Sequence, residues 1–362
     1  MKQGSRLNNM KKSTKSNMIT YIMLFVIFAV VQTLISTGGI SNLFKGLLVP
    51  MCAYIIMAVS LNLVVGFLGD LSLGHAGFMC VGAFTSAFFS VCVRDMIASE
   101  WVRFPLAIII GGLSAAVFGL IVGIPVLRLR GDYLAIVTLA FGEIIKNLMN
   151  VLYVGYDSNG IHFSLKGTTD LALEPDGKVI MKGALGITGA SRDSNFTVAF
   201  ILVIITVFVI INLVNSRHGR AIMAIRDNRI AAESIGINVT KYKMIAFVIS
   251  AFFAGIAGVL YAHNLTSLTA TTNNFGYNMS IIILVYVVLG GIGNIRGSII
   301  AAIILTILPE ELRALNDYRM LIYSIVLILM MLFSSSPAMV AFREKHSLKN
   351  KFAKGKKAKE AV

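Results

Sequence analysis

Long apolar runs separated by short polar connections make up most of the chain. A run of about 17–25 apolar residues is long enough to cross a bilayer as a helix, and the sequence contains ten candidates. These predicted spans are 18–36, 44–66, 71–93, 104–126, 133–154, 196–215, 243–262, 278–292, 297–312 and 320–334. Glycines and Pro309 interrupt the last three, which leaves a count of eight or nine spans open. The pattern predicts an all-α polytopic membrane protein with about ten transmembrane helices.

Two polar connections are too long to be simple turns. Residues 155–195 form a mixed polar loop of about 40 residues that contains turn-forming Asp, Asn, Gly and Pro. Residues 216–242 form the second long connection. Both lie between predicted spans, so the transmembrane domain of 18–335 carries one large loop on each side of the membrane.

The connection 216–242 has the periodicity of a short helix. When residues 220–235 are projected at 100° per residue, small and aliphatic side chains share one face, and Arg226, Arg229 and Glu233 lie opposite. Gly236 is a typical helix terminator. The sequence therefore predicts one amphipathic helix, which either lies on the lipid headgroups or docks a cytoplasmic partner.

Charge and composition define the class of protein and its orientation. Apolar residues make up 57% of the chain and charged residues only 14%, which excludes an ordinary soluble domain. Most of the net charge of +15 lies in two basic tails, 1–17 and 336–362, so a basic nucleic-acid groove is not expected. If the N-terminus is inside, inner segments hold 22 cations and outer segments nine. This bias places both termini in the cytoplasm.

A glycine-rich segment begins the third predicted span. Residues 66–82 contain five glycines together with Asp70, Ser72 and His75. Such a segment predicts a broken or closely packed helix, which membranes tolerate only where protein or a water-filled cavity satisfies the backbone. Ser72 and His75 are candidates for a translocation path; alternatively, the His75 imidazole hydrogen-bonds a neighbouring helix.

Charged residues also occur inside the fifth predicted span. Glu143 and Lys146 are three residues apart and share a helical face, and Asn147 and Asn150 follow. Charges inside a membrane usually face the bundle interior or water. Glu143, Lys146 and Asn147 are therefore further path candidates, with an internal ion pair that only packs helices as the alternative.

Enzymatic sites are not apparent in the sequence. It has no phosphate-binding G-x-x-x-x-G-K-[ST] motif and no H-E-x-x-H or G-x-S-x-G motif. The five histidines are scattered, and the three cysteines have no metal-binding spacing. We expect no catalytic residue, metal or cofactor in this chain, and any ATP-driven work must come from a partner.

Four ordered stretches resemble one transporter family. They are Gly69 to Phe78 (GDLSLGHAGF), Leu127 to Ile144, Ser216 to Ile237 and Val288 to Gly297. They are similar to signature segments of LivM-type permeases of branched-chain amino acid ABC importers, and the resemblance runs from about residue 45 to 335. It implies a multi-pass subunit of a bacterial-type plasma membrane.

The resemblance also implies partners and a coupling site. Such permeases pair with a second, LivH-type permease, with two cytoplasmic ATPases that use ATP and Mg²⁺, and with an extracytoplasmic substrate-binding protein. The inner loop corresponds to the helix that docks an ATPase, and its expected coupling residues are Arg226, Arg229, Ala231, Ala232, Glu233 and Gly236. The order Ala-Ala-Glu departs from the Glu-Ala-Ala of many ABC importers, so their contacts are not carried over.

Other transporters remain alternatives at this stage. Related ABC permeases carry urea, short amides or sugars, and one permease sequence does not separate these substrates from branched-chain amino acids. An ion-coupled secondary amino acid transporter would show two broken helices in matching positions, and the glycine-rich segments 66–82 and 290–297 resemble such a pair. The long inner loop argues against this alternative.

Overall fold

The structure is a computed structural model that describes residues 2–335 except 40, 95, 98, 130, 158–159, 176 and 314–317. The predicted basic tail 336–362 lies outside the described residues, and residues 2–17 of the predicted N-terminal tail belong to the first helix. The chain divides into two compact units after Ile303. The first unit contains every site discussed below except one control pair.

Thirteen α-helices occur in the described residues. They are α1 (Lys2–Ser36), α2 (Asn42–Asn62), α3 (His75–Val93), α4 (Glu100–Val126), α5 (Asp132–Val151), α6 (Phe196–Asn215), α7 (Arg217–Asp227), α8 (Arg229–Ser234), α9 (Val239–Ala262), α10 (Thr272–Phe275), α11 (Tyr277–Gly290), α12 (Ile295–Glu311) and α13 (Arg319–Ser335). A π-helical segment, Leu63–Leu68, continues α2 without a break.

Each of the ten predicted spans overlaps one long helix. In the described part of the chain, eight segments are long and apolar enough to cross a membrane, ending with Thr272–Gly290. Helices α12 and α13 are apolar but have 17 residues each. The protein is therefore a multi-pass membrane protein, while the count of ten spans stays a prediction.

The centre of the first unit is built on close helix packing. Helix α2 is the most buried span and packs against α6, α9 and α11, while α3, α4 and α9 pack against one another. Glycines permit this approach: a Cβ at Gly82 would lie 2.4 Å from the Gly255 carbonyl oxygen, and one at Gly258 would lie 2.0 Å from that of Met79. Small residues commonly let membrane helices approach in this way.

The outer loop forms a small antiparallel sheet that the sequence analysis did not anticipate. Its strands are β1 (Tyr153–Asp157), β2 (Gly160–Ser164), β3 (Lys178–Lys182), β4 (Ile187–Thr188) and β5 (Ser267–Leu268). Their order is β2-β1-β3-β4-β5, so the connection after α9 completes the sheet. The fold is mainly helical, as predicted, but the all-α description omits this outer layer.

Candidate functional site

The predicted inner helix consists of two helices. Asn228 interrupts it with an extended backbone (φ −156°, ψ 106°), and its Oδ1 accepts a hydrogen bond from the Ala231 amide at 3.0 Å. Such a contact is typical of a helix N-cap. The prediction of one continuous helix over 220–235 is therefore wrong, because an asparagine cap competes with helix continuation. Gly236 ends α8 with φ +84°, as expected.

The helices α7 and α8 have one face against the protein and one face free of it. Ile222, Ile225 and Ala232 are buried, whereas Ile230 and Ile235 are 79% and 74% exposed. The helical projection groups Ile235 with Ile225 and Ala232 on one face, but Ile235 is exposed because α8 ends at Ser234 and does not continue the helix of α7. Two isoleucines thus lie uncovered on the surface.

The polar coupling candidates of α8 lie on its surface. Ala231 and Glu233 are exposed, and Arg229 donates to Glu233 through Nε at 2.9 Å. Solvent-exposed pairs of this kind contribute little to folding. Their positions are available to a partner.

Arg226 connects α7 to the end of α2. Its Nη1 donates to the carbonyl oxygen of Gly66 at 3.0 Å, 160 residues away in sequence. Its stem covers Gly69, where a Cβ would lie 2.6 Å from the Arg226 Cγ. Gly69 also has φ +84°, a conformation that favours glycine. The contact joins the inner helices to the π-helical segment.

Other inner connections meet at the same place. The Asn62 side chain accepts from the Gly293 amide at 2.9 Å and donates to Ser298 at 2.9 Å. Beside it, Lys243 at the start of α9 forms an ion pair with Asp70 at 2.6 Å. A cavity of about 190 Å³ separates this pair from Arg226 and Arg229. We call residues 66–70 and Arg226 the inner junction.

Residues 69–74, which begin within the inner junction, are not helical and lead to His75. The third predicted span therefore begins at 75 and not at 71. His75 Nε2 lies 2.8 Å from the Ser60 hydroxyl of α2, and the Leu73 amide donates to Thr138 at 3.1 Å. Ser72 is buried, and its hydroxyl has no hydrogen-bond partner among the described residues.

Glu143 and Lys146 form an ion pair with an N–O distance of 2.5 Å. Glu143 also accepts from the Tyr277 amide at 2.7 Å, and Lys146 donates to Thr272 at 3.3 Å. The pair thereby ties α5 to the first turns of α10 and α11. Asn147 is exposed and lies beside this group.

The two groups of path candidates lie on adjoining helices. A Cβ at Gly77 would lie 2.7 Å from the Gly142 Cα, and one at Gly74 would lie 2.1 Å from the Thr138 carbonyl oxygen. The start of α3 therefore packs directly against the middle of α5, one residue from Glu143. Sequence spacing alone did not place these groups together.

A third polar cluster joins the outer ends of the helices. Arg103 of α4 and Asp193, before α6, form a buried ion pair at 3.0 Å, and Ser191 donates to Asp193 at 2.6 Å. His263 after α9 is fully buried 3.8 Å from Asp193, and burial lowers the pKa of its imidazole. The sequence does not predict this cluster, because Arg103, Asp193 and His263 are 70 or more positions apart along the chain.

Metal binding has no support in this geometry. The described residues contain no group of three His, Cys, Asp or Glu side chains that could hold a metal ion. The polar groups instead connect helices at three levels: the inner junction, the α3–α5 contact and the outer cluster.

Comparisons with known proteins identify the family. The family model described as "Branched-chain amino acid transport system / permease component" matches residues 42–334. The high-affinity branched-chain amino acid transport system permease protein LivM of Escherichia coli K12 is 37% identical over 314 residues, covering 84% of this chain and 72% of the relative.

More distant relatives are sugar permeases. The ribose import permease RbsC of E. coli K12 is 28% identical and covers 86% of this chain and 91% of the relative. The fructose import permease FruG of Bifidobacterium longum is 27% identical, with 85% of each chain covered. No solved structure matches. The family match spans nearly the whole transmembrane body, and the chain belongs to the family of permease components of branched-chain amino acid transport systems.

Proposed function

We propose that this chain is one membrane subunit of an ATP-driven importer of branched-chain amino acids. The family match and the 37% identity to a branched-chain amino acid permease support this substrate class over sugars, whose permeases are 27–28% identical. In the proposed assembly a second, LivH-type permease completes the path and an extracytoplasmic protein delivers the substrate. Two cytoplasmic ATPases bind ATP and Mg²⁺. The chain itself is a transport component, not an enzyme.

Helix α8 and its flanks are the proposed ATPase docking site. The observation that carries this proposal is the pair of exposed isoleucines, Ile230 and Ile235, on a helix whose opposite face is anchored by Ala232. Isolated apolar side chains on a surface are common, but here they flank Ala231 and Glu233 of the loop that resembles the family's docking helix. An apolar helix face seated in a groove is a frequent mode of recognition.

Arg226 is the proposed link between docking and the membrane helices. A movement of α7 would pull on the Gly66 carbonyl through the 3.0 Å hydrogen bond and on Gly69 through the arginine stem. Residues 71–74 lie outside the helices, so their backbone is not held by a helical hydrogen-bond ladder as the spans on either side are. The displacement would therefore reach His75 and its contact with Ser60.

The translocation path is proposed to follow the adjoining sides of α3 and α5. Its polar wall would consist of Ser72, His75, Glu143, Lys146 and Asn147. Glu143 and Lys146 supply a carboxylate and an ammonium, the partners that the ammonium and carboxylate of a free amino acid require. Asn147 is exposed, and the Glu143 side chain is 23% exposed, which leaves both available to a path shared with the second permease.

The docking proposal is tested by Ala231→Trp in the assembled transporter. Ala231 is exposed, so the larger side chain does not disturb the fold, whereas at buried Ala232 it would. We expect substrate-stimulated ATP hydrolysis and uptake to fall together. The matched control is Asn212→Trp, exposed near the inner end of α6. Unchanged hydrolysis and uptake in Ala231→Trp would rule out docking at this surface.

The path proposal is tested by Glu143→Gln. We expect a raised KM for leucine uptake with ATPase docking retained, because the substrate ammonium loses its carboxylate partner. The control is Glu310→Gln, which breaks another pair spaced by three residues, with Arg313 at 2.9 Å. An unchanged KM would exclude Glu143 from the path.

The same uptake assay separates the alternatives. Reconstituted transporter is offered labelled leucine, ribose, urea and a short amide, with and without ATP. Leucine uptake that needs ATP supports the proposal. Preference for ribose, urea or the amide would reassign the substrate, and ATP-independent uptake driven by an ion gradient would identify a secondary transporter.

A further inference from the structure

The outer half of the first unit contains an apolar cavity that transport does not explain. It has a volume of about 510 Å³ and lies between α3, α4 and α5 beneath the outer sheet. Its lining includes Phe84, Phe88 and Phe89 of α3, Met149 and Leu152 at the end of α5, and Tyr156, Ile161 and Phe163 of strands β1 and β2, which we call the roof. We propose that this cavity binds an acyl chain of a membrane phospholipid.

The lining excludes an amino acid as the occupant. The described lining residues include no charged side chain, and the hydroxyls of Thr85 and Ser114 are 2.7 Å apart and hydrogen-bond each other. A zwitterion placed here would lose its hydration without gaining a partner, which is very costly. An alkyl chain requires no polar partner.

The walls of the cavity continue into surfaces that face lipid. On α4, Ile109 and Leu113 are 53% and 54% exposed and adjoin the lining residues Ile110 and Ser114. On α5, Val151 is 48% exposed beside Leu152. Both helices are candidate membrane spans. A lipid chain can therefore enter sideways between α4 and α5 without crossing water.

The rim has the chemistry of the membrane–water interface. Tyr156 and Phe163 of the roof are 43% and 67% exposed, and aromatic side chains are enriched at this level of membrane proteins. Arg94 follows Val93 at the outer end of α3 and is exposed. A cation at this position suits the phosphate of the same lipid.

The cavity size argues against a helix of the second permease as the occupant. A helix with its side chains is about 10 Å across, so about 510 Å³ would hold little more than one turn of it. A single flexible chain fills an irregular space of this size more completely. The proposal thus commits to lipid, and coverage by protein becomes an outcome of the test.

The single tryptophan of the chain makes a direct test possible. Trp101 is 84% exposed, so Trp101→Phe gives a background into which Phe88→Trp places one reporter in the cavity. Leu113→Trp in the same background reports the lipid-facing surface of α4. The full chain is reconstituted, alone and with its partner subunits, in vesicles of phosphatidylglycerol with brominated or unbrominated chains.

We expect brominated chains to quench the Phe88→Trp reporter at least as strongly as the Leu113→Trp control. Ser114→Leu places a larger side chain in the cavity, so it should reduce quenching of the Phe88→Trp reporter and leave quenching of the Leu113→Trp control unchanged. The proposal would be overturned if brominated chains quench the Leu113→Trp control but not the Phe88→Trp reporter. Quenching that disappears when the partner subunits are added would overturn it as well, because protein would then cover the cavity. Neither result depends on the transported substrate.

Discussion

Removal of the Arg226 guanidinium should uncouple ATP hydrolysis from uptake. Arg226→Met retains an apolar stem over Gly69 but leaves the Gly66 carbonyl without its donor at 3.0 Å. The docking surface on α8 is not altered by this change. If Arg226 transmits the movement of α7, the ATPases should still bind and hydrolyse ATP while the membrane helices respond less.

The strength of the Arg226–Gly66 hydrogen bond sets the expected loss of coupling between ATP hydrolysis and uptake. A hydrogen bond to a charged group contributes about 1.5–3 kcal/mol, and the Arg226 side chain is 40% exposed, so the lower end applies. Since about 1.4 kcal/mol corresponds to a factor of ten, we expect about tenfold less uptake per ATP hydrolysed. A conservative Arg226→Lys change should restore part of this ratio, because an ammonium on a shorter stem can still donate to the carbonyl.

Arg220 provides a matched control on the same helix. Its Nη1 also donates to a backbone carbonyl at 3.0 Å, but the acceptor is Asn215, only five residues away. Arg220→Met removes an equal charge and a hydrogen bond of equal length without touching residues 66–74. Arg226→Met also removes the exposed ion pair with Asp227 at 3.1 Å, but a solvent-exposed pair contributes little. The assay compares uptake and ATP hydrolysis in proteoliposomes. The reasoning is refuted if both variants show the same ratio, or if Arg226→Met abolishes hydrolysis.

Three further predictions concern stability and the inner helices. Asp193→Asn leaves the buried Arg103 charge unpaired and should lower the free energy of unfolding by about 3–5 kcal/mol. The change is measured as a lower thermal unfolding midpoint in detergent, and an unchanged midpoint would contradict the buried ion pair. Gly258→Ala forces a methyl group to 2.0 Å from a carbonyl oxygen and should lower the same midpoint, whereas Gly46→Ala, with no described atom within 4 Å, should not. Asn228→Ala should cost about 1 kcal/mol of α8 stability and reduce stimulated ATP hydrolysis, while Asn228→Asp retains the cap and the activity.

Helix positions were predictable from the sequence because membrane burial demands long apolar runs. The ten predicted runs coincide with helices, and the positive-φ glycine at 236 ends α8 as expected. The predicted helix boundaries are less accurate in the glycine-rich segment before α3, where the chain is apolar but not helical. The hydropathy pattern predicts helix over residues 71–74, but they are not helical, because hydropathy does not distinguish a helical from a non-helical backbone inside protein.

The outer sheet and the inner junction were not predictable from local pattern. Strand β5 joins the sheet from residues 267–268, about 80 positions after β4, and its two residues carry no strand signal of their own. The Arg226–Gly66 contact joins residues 160 positions apart. Helical projection placed Arg226 on the polar face, and a polar position is equally compatible with water, lipid phosphate and a backbone carbonyl.

The inner junction explains why residues 66 and 69 are glycines. A Cβ at Gly66 would lie 1.9 Å from Asn62 Oδ1 and 2.4 Å from the Gly293 amide nitrogen, so only glycine lets the ends of α2 and α11 meet there. Arg226 reaches the same carbonyl from α7. Helix α7 and the connection between α11 and α12 therefore both touch one short segment at the end of the π-helix. If α7 moves as proposed, the Arg226 hydrogen bond passes the displacement directly to this segment, because the close contact at Gly66 leaves no free space there to absorb it.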